Sequence, residues 1–515
     1  MIADDAVDLA ELADLAGFID WTRLDGVPTL FAPQPGPITA GLFFRVGTAD
    51  ETLATAGLTH VVEHLALFDQ NLTEVHHNGV TTDTYTLFHV TGARHEVVSF
   101  LDGVCSALRN LPVHRLETEK GILRAEASRR GGSPLAPMRL WRFGAGGLGL
   151  QGYDEIGLGR LTPEDARAWA RTRFTRENAV LFVTDETVPA ELGLDLLPGS
   201  RMPVPVMPSA LPQRPAYFVG RDGHIGLDSI VRRSPAAVLL ARIAGRALFR
   251  DLRQEGGYSY TATSDYTPWN AELATLTLYA DALPDLQDAA VGAFVDTVAG
   301  LRRGPLEKEL ETARAALIAE YDLPDKAARM LPAYALDLLW GSTIYGPEQG
   351  LARLEEVTEA DLREVSHELW SDALVQVPMG GLEWAGLTPA PTWSTSAVAG
   401  RRFPRAEPDV ALVVGDDGIS LTTVRGAVTV LFGECVAMTT RPDGARFLTG
   451  ADGFTVAVEP TLHPGLTADV VGQLIDARVP AHLTIHLPPR APESIPQPTP
   501  VAASPRRFGW RRREG

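Results

Sequence analysis

The sequence predicts an α+β protein with two similar α+β domains in tandem, followed by a small β-rich domain that ends in a helix. Three observations support this fold class. The chain has 515 residues, which is too long for one hydrophobic core. The segment that begins at Leu161 and the segment that begins at Val357 have similar sequence patterns. After residue 389 the composition changes, and short strand candidates follow. We therefore expect domains at 1–195, 210–388 and 407–488, a linker at 389–406 and a disordered tail at 489–515.

The first domain opens with alternating strand and helix candidates. Residues 27–47 have the pattern of two strands joined by a Pro/Gly turn, and a helix follows Gly57. A later helix begins at Thr162, which is typical of an N-cap because Pro163 occupies the first helical position and Asp165 lies three residues after the cap. The remaining candidates are strands at 84–92 and 178–184 and helices at 94–110 and 113–130.

The second domain repeats this plan. The pattern at 235–253 predicts an amphipathic helix, strands follow at 258–266 and 271–280, and a helical pair covers 283–321. Its end, from Val357, matches the end of the first domain at an offset of 196 residues, each with a capped helix, a short break and a strand. We interpret this match as a duplication, and the alternative is a chance resemblance of two helix–strand endings.

The C-terminal part of the chain has a different composition and a different pattern of secondary-structure candidates. A Pro/Ser/Ala-rich stretch leads to six short strand candidates between residues 410 and 459, and the amphipathic segment LTADVVGQLIDA then predicts one helix. This module weakly resembles a bacterial pleckstrin-homology-like barrel, and an unrelated β-rich appendage is the alternative. The last residues are Pro-rich and then basic, which favours a solvated, disordered tail.

Composition excludes several classes of protein. The net charge of −19 argues against a nucleic-acid binder, because a phosphate backbone would be repelled. Cys105 and Cys435 are the only cysteines, so a disulfide framework or a cysteine-based zinc site cannot be built. The N-terminus lacks the pattern of a secretory signal, and no apolar run of about 18 residues predicts a transmembrane segment. We expect a bacterial cytoplasmic protein whose partners are small molecules, peptides or proteins.

The segment GLTHVVEHLALF places His60, Glu63 and His64 in an otherwise apolar helix candidate. Residues four apart share a helix face, so the two imidazoles can point at one metal ion while the carboxylate flanks them. Zinc accepts such ligands and lowers the pKa of a bound water to about 7, where a neighbouring carboxylate can take its proton. This H-x-x-E-H order is the inverted zinc-peptidase motif. The alternative is a helix with two hydrogen-bonded, partly buried histidines.

The segment FRVGTADETLATAGLTHVVEHLALF resembles the N-terminal domain of the pitrilysin/insulinase family, which includes the mitochondrial processing peptidases. The resemblance covers about residues 20–385 and implies two peptidase-family α/β sandwich domains in tandem. It also implies one zinc ion per chain, with His60 and His64 as ligands and Glu63 as the catalytic base. The family takes its last ligand from a glutamate on a later helix, with a supporting glutamate seven residues earlier.

In this chain LETEKGILRAE supplies those two glutamates. Glu126 matches the ligand and Glu119 the supporting acid, and seven residues of helix put both on one face about 10 Å apart. The alternative is a pair of surface glutamates in i,i+4 ion pairs. The spacing from His64 to Glu126 is shorter than is usual in the family, and the deficit lies between His64 and Gly79.

The family's substrate-binding edge strand corresponds to GVTTDTYTLF, with Gly79, Val80, Thr81 and Thr82 at its start. In relatives this strand pairs with the substrate backbone by β-addition. Gly79 and Val80 replace the family's Asn and Ala, so we expect altered substrate contacts. His76 and His77 are predicted to be solvated loop residues in the shortened segment.

The second domain carries the segment LRQEGGYSY, in which Arg253, Gly257 and Tyr260 keep the spacing of a second family motif. In relatives the arginine and the tyrosine bind the substrate carbonyl and stabilise the oxyanion. The alternative is that Arg253 caps a helix C-terminus and Tyr260 is an aromatic residue of a strand. Family members with two such domains per chain complete the zinc domain with the Arg/Tyr domain of a partner, so the resemblance implies a homodimer or a heterodimer with a related subunit.

Two principal functions are compatible with these motifs. The first is a zinc-dependent endopeptidase that cleaves peptides or unfolded segments inside a clamshell chamber. The second is a catalytically silent scaffold or peptide-binding partner subunit, which the same family also contains. A peptide-binding module that acts through its C-terminal β-rich domain is a third possibility. Because every catalytic position of the family is present, the sequence favours the enzyme.

Overall fold

The computed structural model describes residues 12, 15–68, 76–129, 133–220, 223–303, 306–321, 324–407 and 409–498. Contacts divide the chain into two units, Met1–Ala390 and Pro391–Gly515, which we call unit 1 and unit 2. Each unit has mixed or β structure of its own, and each is described separately. The predicted α+β fold class is confirmed.

Unit 1 contains two six-stranded sheets. The strands of the first sheet are β1 (Asp20–Leu24), β2 (Val27–Phe31), β3 (Ile38–Phe44), β4 (His76–Thr81), β5 (Thr86–Gly92) and β6 (Ala179–Val183). The strands of the second sheet are β7 (Ala216–Val219), β8 (His224–Arg232), β9 (Ala262–Pro268), β10 (Leu273–Asp281), β11 (Leu374–Val377) and β12 (Thr388–Pro389).

Eleven α-helices connect these strands in the described part of unit 1. They are α1 (Leu58–Leu67), α2 (Arg94–Arg109), α3 (Leu116–Arg129), α4 (Ala136–Phe143), α5 (Pro163–Arg173), α6 (Pro235–Leu248), α7 (Gln287–Arg303), α8 (Glu307–Tyr321), α9 (Lys326–Trp340), α10 (Pro347–Glu355) and α11 (Glu359–Ser371). A π-helical segment, Phe249–Glu255, continues α6.

The two sheets have the same topology. The first has the order β1-β2-β6-β3-β5-β4 and the second the order β12-β7-β11-β8-β10-β9. If β1 and β12 are set aside, the five remaining strands of each sheet occur in the same spatial and sequential order. The two predicted capping boxes are also present, Thr162 with Asp165 before α5 and Thr358 with Asp361 before α11. The structure therefore supports the duplication predicted from the sequence.

In unit 1, one helix from each half packs against the sheet of the other half. Phe43, Val180 and Phe182 of the first sheet share a core with Leu331 and Leu338 of α9, which belongs to the second half. Conversely, the side chains of α4, from the first half, pack with apolar residues of the second sheet, namely Ala216, Phe218 and Leu374. The opposite faces are covered by each half's own helices. Both sheets are thus covered on two faces, and their central strands β3, β6, β8 and β11 are largely buried.

A buried arginine fixes α4 on the second sheet. Arg142 is 1 % exposed, and its guanidinium donates to the Asp228 carboxylate at 2.6 Å and to the Asp372 carboxylate at 2.8 Å. The same guanidinium also donates to the backbone carbonyls of Asp228 and Asp372. A planar fork of five donors satisfies this many acceptors at once, which lysine could not do.

Unit 2 is a β-rich module with one terminal helix. One sheet contains β13 (Gly400–Pro404), β14 (Ala411–Gly415), β15 (Gly418–Thr423) and β16 (Gly426–Leu431), and the other contains β17 (Cys435–Thr440), β18 (Arg446–Gly450), β19 (Thr455–Val458) and β20 (Thr484–His486). The predicted helix is α12 (Ala468–Val471), extended by a π-helical segment to Asp476. Val471 and Ile475 join the core between the strands.

Two boundary predictions in this region are wrong. Strand β13 lies within 389–406, which was predicted as a linker, because it forms the edge of the first sheet of unit 2. The tail predicted from residue 489 is ordered at its start, since the guanidinium of Arg490 binds the carboxylates of Asp443 and Glu459 at 2.6 Å. The rest of the tail, from residue 499, lies outside the described residues.

No helix in the described ranges combines the length and the apolar character that a membrane crossing requires.

Arg142→Met should lower the free energy of unfolding by about 3–5 kcal/mol, because it leaves the buried carboxylate of Asp228 without its cation. Denaturant unfolding followed by circular dichroism measures the change. The control Arg171→Met, whose side chain is 56 % exposed, should change stability by no more than about 0.5 kcal/mol. Equal effects of the two substitutions would show that Arg142 does not hold α4 in place.

Candidate metal centre

Helix α1 carries the three polar residues of the motif, and its start is fixed by a carboxylate. Gly57, at the N-cap, has φ +95° and no side chain that could cap the helix. Glu51 supplies the cap instead, with one oxygen accepting from the backbone N–H of Gly57 at 2.8 Å and the other from that of Thr59 at 2.5 Å. A Cβ at Gly57 would lie 2.9 Å from Glu155 and Leu158. Glycine is therefore required there by both conformation and space.

The helical spacing brings both imidazoles to one place. The ring centroids of His60 and His64 are 4.9 Å apart, and ligand atoms of His60, Glu63 and His64 all lie within 4.8 Å of one another. His60 and Glu63 are buried, with exposed fractions of 8 % and 4 %. The motif therefore lies on a largely buried face of α1 and not on a solvent-exposed face.

A carboxylate lies beside the Nδ1 atom of each of the two imidazole rings and orients the ring. The Nδ1 atom of His60 lies 2.7 Å from an oxygen of Glu155, and the Nδ1 atom of His64 lies 3.4 Å from an oxygen of Glu119. A ring whose Nδ1–H is held by a carboxylate presents its other nitrogen, Nε2, to a metal. Glu119 is itself held by Arg115, whose guanidinium donates to it at 3.1 Å.

Helix α3 brings the two predicted glutamates to His64. Glu119 is buried and contacts Nδ1, whereas a carboxylate oxygen of Glu126 lies 3.7 Å from Nε2. The side chain of Glu126 is 39 % exposed, so it can adjust its position toward a bound ion. The predicted spacing on α3 therefore matches the geometry, although Glu63, and not Glu126, belongs to the group whose ligand atoms lie within 4.8 Å of one another.

The carboxyl of Glu63 has an unusual environment. One of its oxygens accepts a hydrogen bond from the Thr81 hydroxyl at 2.5 Å. Burial raises the pKa of the Glu63 carboxyl above its ordinary range, while His60 and the Thr81 hydroxyl act in the opposite direction. A carboxylate with a raised pKa is a better proton acceptor, which suits a catalytic base.

The motif opens into a cavity of about 970 Å³. Its wall includes residues of the first half, among them Glu63, Gly79 and Glu126, and residues of the second half, namely Asp228, Asp265 and Thr277. This volume is at the upper end for ligand pockets and can hold several residues of a peptide.

The predicted substrate strand is at the edge of the first sheet. Strand β4 pairs only with β5, so its other edge is unpaired within the described sheet. Gly79, Val80 and Thr81 lie in the strand, and Thr82 follows it, with its hydroxyl bonded to the backbone of Tyr85. An unpaired edge of this kind can accept a peptide as an additional strand.

The prediction for His76 and His77 is wrong. Both residues belong to β4 rather than to a loop. Their rings lie on opposite faces of the sheet, His76 at 5.8 Å from His89 and His77 at 5.4 Å from Phe100. The shortened segment was predicted to be a loop, but cross-strand pairing with β5 extends the strand back to His76. The shortening was predicted between His64 and Gly79, and residues 69–75 of that segment lie outside the described residues.

Arg253 and Tyr260 contact each other outside the lining of the cavity that holds the histidines. Arg253 lies in the π-helical segment after α6, and Tyr260 lies in the connection before β9, not in a strand as predicted. The guanidinium carbon lies 4.8 Å from the Tyr260 ring centroid, and Tyr260 is 72 % exposed. Neither residue is among the described residues that line the 970 Å³ cavity. Within one chain the structure therefore does not bring this pair into the cavity that His60 and His64 line.

Two carboxylates of the site were missed in the sequence. Glu51 and Glu155 lie outside the motif, and only the fold brings Glu155 to His60, 95 residues earlier in the chain. Glu51 had a local signal, because an acidic residue close before a glycine-capped helix is suited to its N-terminus. Glu155 had none.

The donor set suits a zinc ion. Two imidazoles with carboxylate-held Nδ1 atoms, a carboxylate beside His64 Nε2 and a buried second carboxylate provide the nitrogen and oxygen ligands that zinc accepts. His60, His64 and one of the two glutamates, Glu126 or Glu63, would hold the ion.

Comparisons with known proteins match at the level of structure alone. No family model and no curated protein sequence matches the chain. A peptidase M16 inactive domain from Pseudomonas fluorescens superposes with a TM-score of 0.58 at 13 % identity, covering 72 % of this chain and all of that one. The first half of the periplasmic protease PqqL from Escherichia coli gives a TM-score of 0.56 at 15 % identity, covering 72 % of this chain and 94 % of that one.

A putative M16-like peptidase from Alicyclobacillus acidocaldarius is similar as well, with a TM-score of 0.55 at 17 % identity and coverage of 70 % of this chain and 98 % of that one. The chain has the fold of the M16-like peptidases. Because proteins with this M16-like fold include both proteases and an inactive domain, the fold by itself assigns no activity. Any assignment of function must rest on the residues at the histidine pair.

The environment of Glu51 predicts a pH dependence of stability. Burial raises the pKa of its carboxyl to about 7 from 4.5, against the hydrogen bonds from Thr59 and Gly57. Between these values the folded protein binds more protons than the unfolded one, so stability falls as the pH rises through this window. In the metal-free protein, Glu51→Gln removes this titration. The difference in unfolding free energy, wild type minus variant, should decrease by about 3 kcal/mol between pH 4.5 and pH 8. Parallel curves for the two proteins would contradict this account.

Proposed function

We propose that the protein is a zinc-dependent endopeptidase that cleaves peptides or unfolded segments. One observation carries the proposal: the nitrogens of His60 and His64 and the carboxylate of Glu63 converge within 4.8 Å, at the wall of a peptide-sized cavity. The M16-like fold supports it, because proteases share that fold.

The roles of the two nearby glutamates follow from their contacts. Glu126, beside His64 Nε2 and partly exposed, is the proposed third ligand. Glu63, held by the Thr81 hydroxyl, is the proposed base. Glu119 and Glu155 orient the two imidazoles. One zinc ion per chain, when bound, supplies a Lewis acid that lowers the pKa of water to about 7.

The chain's own residues then handle the proton and the substrate. Glu63 accepts a proton from the attacking water and returns it to the leaving amine, which needs a carboxylate within hydrogen-bond reach of both. The edge of β4, at Gly79 to Thr81, holds the substrate backbone as an added strand, so that the scissile bond lies over α1.

Arg253 and Tyr260 are proposed to act in trans. They are adjacent to each other and do not line the cavity of their own chain. A guanidinium and a phenol side by side are suited to stabilise an oxyanion. A homodimer, or a heterodimer with a related subunit, would place the pair of one chain over the zinc motif of the other.

The second candidate function is a catalytically silent scaffold or peptide-binding partner. The inactive M16 domain with the same fold favours it. The complete set of His60, Glu63, His64 and Glu126 in one place favours the enzyme. The pleckstrin-homology-like resemblance of unit 2 and the cytoplasmic location stay predictions.

Glu63→Gln should retain about one zinc per chain and lose peptide cleavage by at least about a hundredfold, because the ligands remain and the base does not. Metal analysis and mass spectrometry of a digested peptide library measure the two effects. His64→Ala is the matched control and should lose the zinc. Wild-type protein that binds zinc and cleaves no peptide would favour the scaffold.

Arg253→Ala and Tyr260→Phe should each lower kcat by about 10²–10³-fold without changing the zinc content. Mixing Arg253→Ala chains with Glu63→Gln chains should then restore about one quarter of the wild-type activity, since half of the dimers contain one intact site. The double variant Glu63→Gln/Arg253→Ala, mixed with either single variant, should restore none. A mixture of the two single variants that stays inactive after subunit exchange would contradict a site shared between two copies of this chain.

A further inference from the structure

The carboxylate of Glu63 is held against the edge strand β4. One oxygen accepts the Thr81 hydroxyl at 2.5 Å. The other, Oε1, lies 2.4 Å from the point where a Cβ of residue 79 would be, and the Cγ and Cδ atoms of Glu63 lie 2.7 and 2.8 Å from that point. Real Cβ atoms do not approach other atoms so closely. The carboxylate therefore occupies the space that any side chain at residue 79 would need.

Gly79 is not a glycine of a turn. It lies inside β4, opposite Phe88, and it is not among the glycines with positive φ. The backbone conformation there is open to any residue, so only space requires glycine. Gly79 and Thr81 are two residues apart in the strand and face the same side, toward α1. Together they form a recess with a hydroxyl donor at one end, which we call the Glu63 recess.

We propose that Gly79 and Thr81 are positioning residues that hold Glu63 as a base and prevent it from becoming a zinc ligand. This inference rests on the proposed peptidase function. A carboxylate within 4.8 Å of two imidazole nitrogens would otherwise be a natural third ligand. The Thr81 hydroxyl occupies one oxygen, and the recess accommodates the other, so Glu126 is left to complete the ligand set.

The recess also links the base to the substrate strand. The residues that hold Glu63 belong to the same edge strand that would pair with a peptide. A side chain larger than hydrogen at residue 79 would push the carboxylate out of the recess and toward the histidines.

The first test compares the zinc-loaded variants Thr81→Val, Thr81→Ser and Gly79→Ala with wild type in peptide cleavage. Thr81→Val and Gly79→Ala should lower kcat by about 10–100-fold with KM and zinc content unchanged, and Thr81→Ser should restore kcat to within about threefold of wild type. Thr22→Val removes an exposed hydroxyl from β1, at the other edge of the same sheet, and should leave kcat unchanged. Undiminished kcat in both Thr81→Val and Gly79→Ala would overturn the positioning role.

The second test needs neither zinc nor activity. In the metal-free protein, Thr81→Val should lower Tm by about 2–4 °C when Glu63 is present and by less than about 1 °C in a Glu63→Ala background. Equal shifts in the two backgrounds would show that the hydroxyl does not hold the carboxylate, and would overturn the proposal. A zinc-loaded wild type that cleaves no peptide overturns the peptidase function, and this outcome is distinct from both failures above.

Discussion

The candidate site depends on where helix α1 begins. The two carboxylate oxygens of Glu51 accept hydrogen bonds from the backbone N–H groups of Gly57 and Thr59, at the start of the helix. These bonds fix the residue at which α1 begins. From that start, His60 and His64 share one face, and Glu63 points toward β4. A shift of one residue would rotate the face by about 100° and separate the imidazoles from Glu119 and Glu155. The geometry of the candidate metal site thus depends on a capping interaction made by a residue outside the motif.

The duplicated architecture explains why residues from both halves of unit 1 line the cavity. Each half of unit 1 folds one helix onto the sheet of the other half, and Arg142 fixes one of these exchanges with two carboxylates. Residues of the second sheet therefore reach the cavity beside the histidine pair. The Arg253 and Tyr260 pair does not line this cavity, which is why we propose that a second chain supplies the oxyanion site.

Patterns with a local period were predictable from the sequence, and tertiary contacts were not. The helical spacing of His60 and His64, the two carboxylates on α3 and the capping boxes at Thr162 and Thr358 follow from geometry within one helix. Strand β4 begins earlier than predicted because pairing with β5 outweighs the polar sequence. Strand β13 is ordered for the same reason, although its composition is that of a linker. Glu155 carried no signal, since only folding brings it to His60.

Glu63 and Glu126 lie near the same imidazoles, and we propose that Glu63 is the base and Glu126 the zinc ligand. Glu63 is buried and held by the recess of β4, whereas Glu126 is partly exposed and can move toward an ion. Anomalous diffraction at the zinc edge from zinc-loaded wild-type crystals tests this most directly. The account predicts one ion bound by His60, His64 and Glu126 at about 2.0–2.2 Å, with Glu63 still bonded to Thr81. An ion bound by Glu63, with Glu126 in solvent, would contradict it.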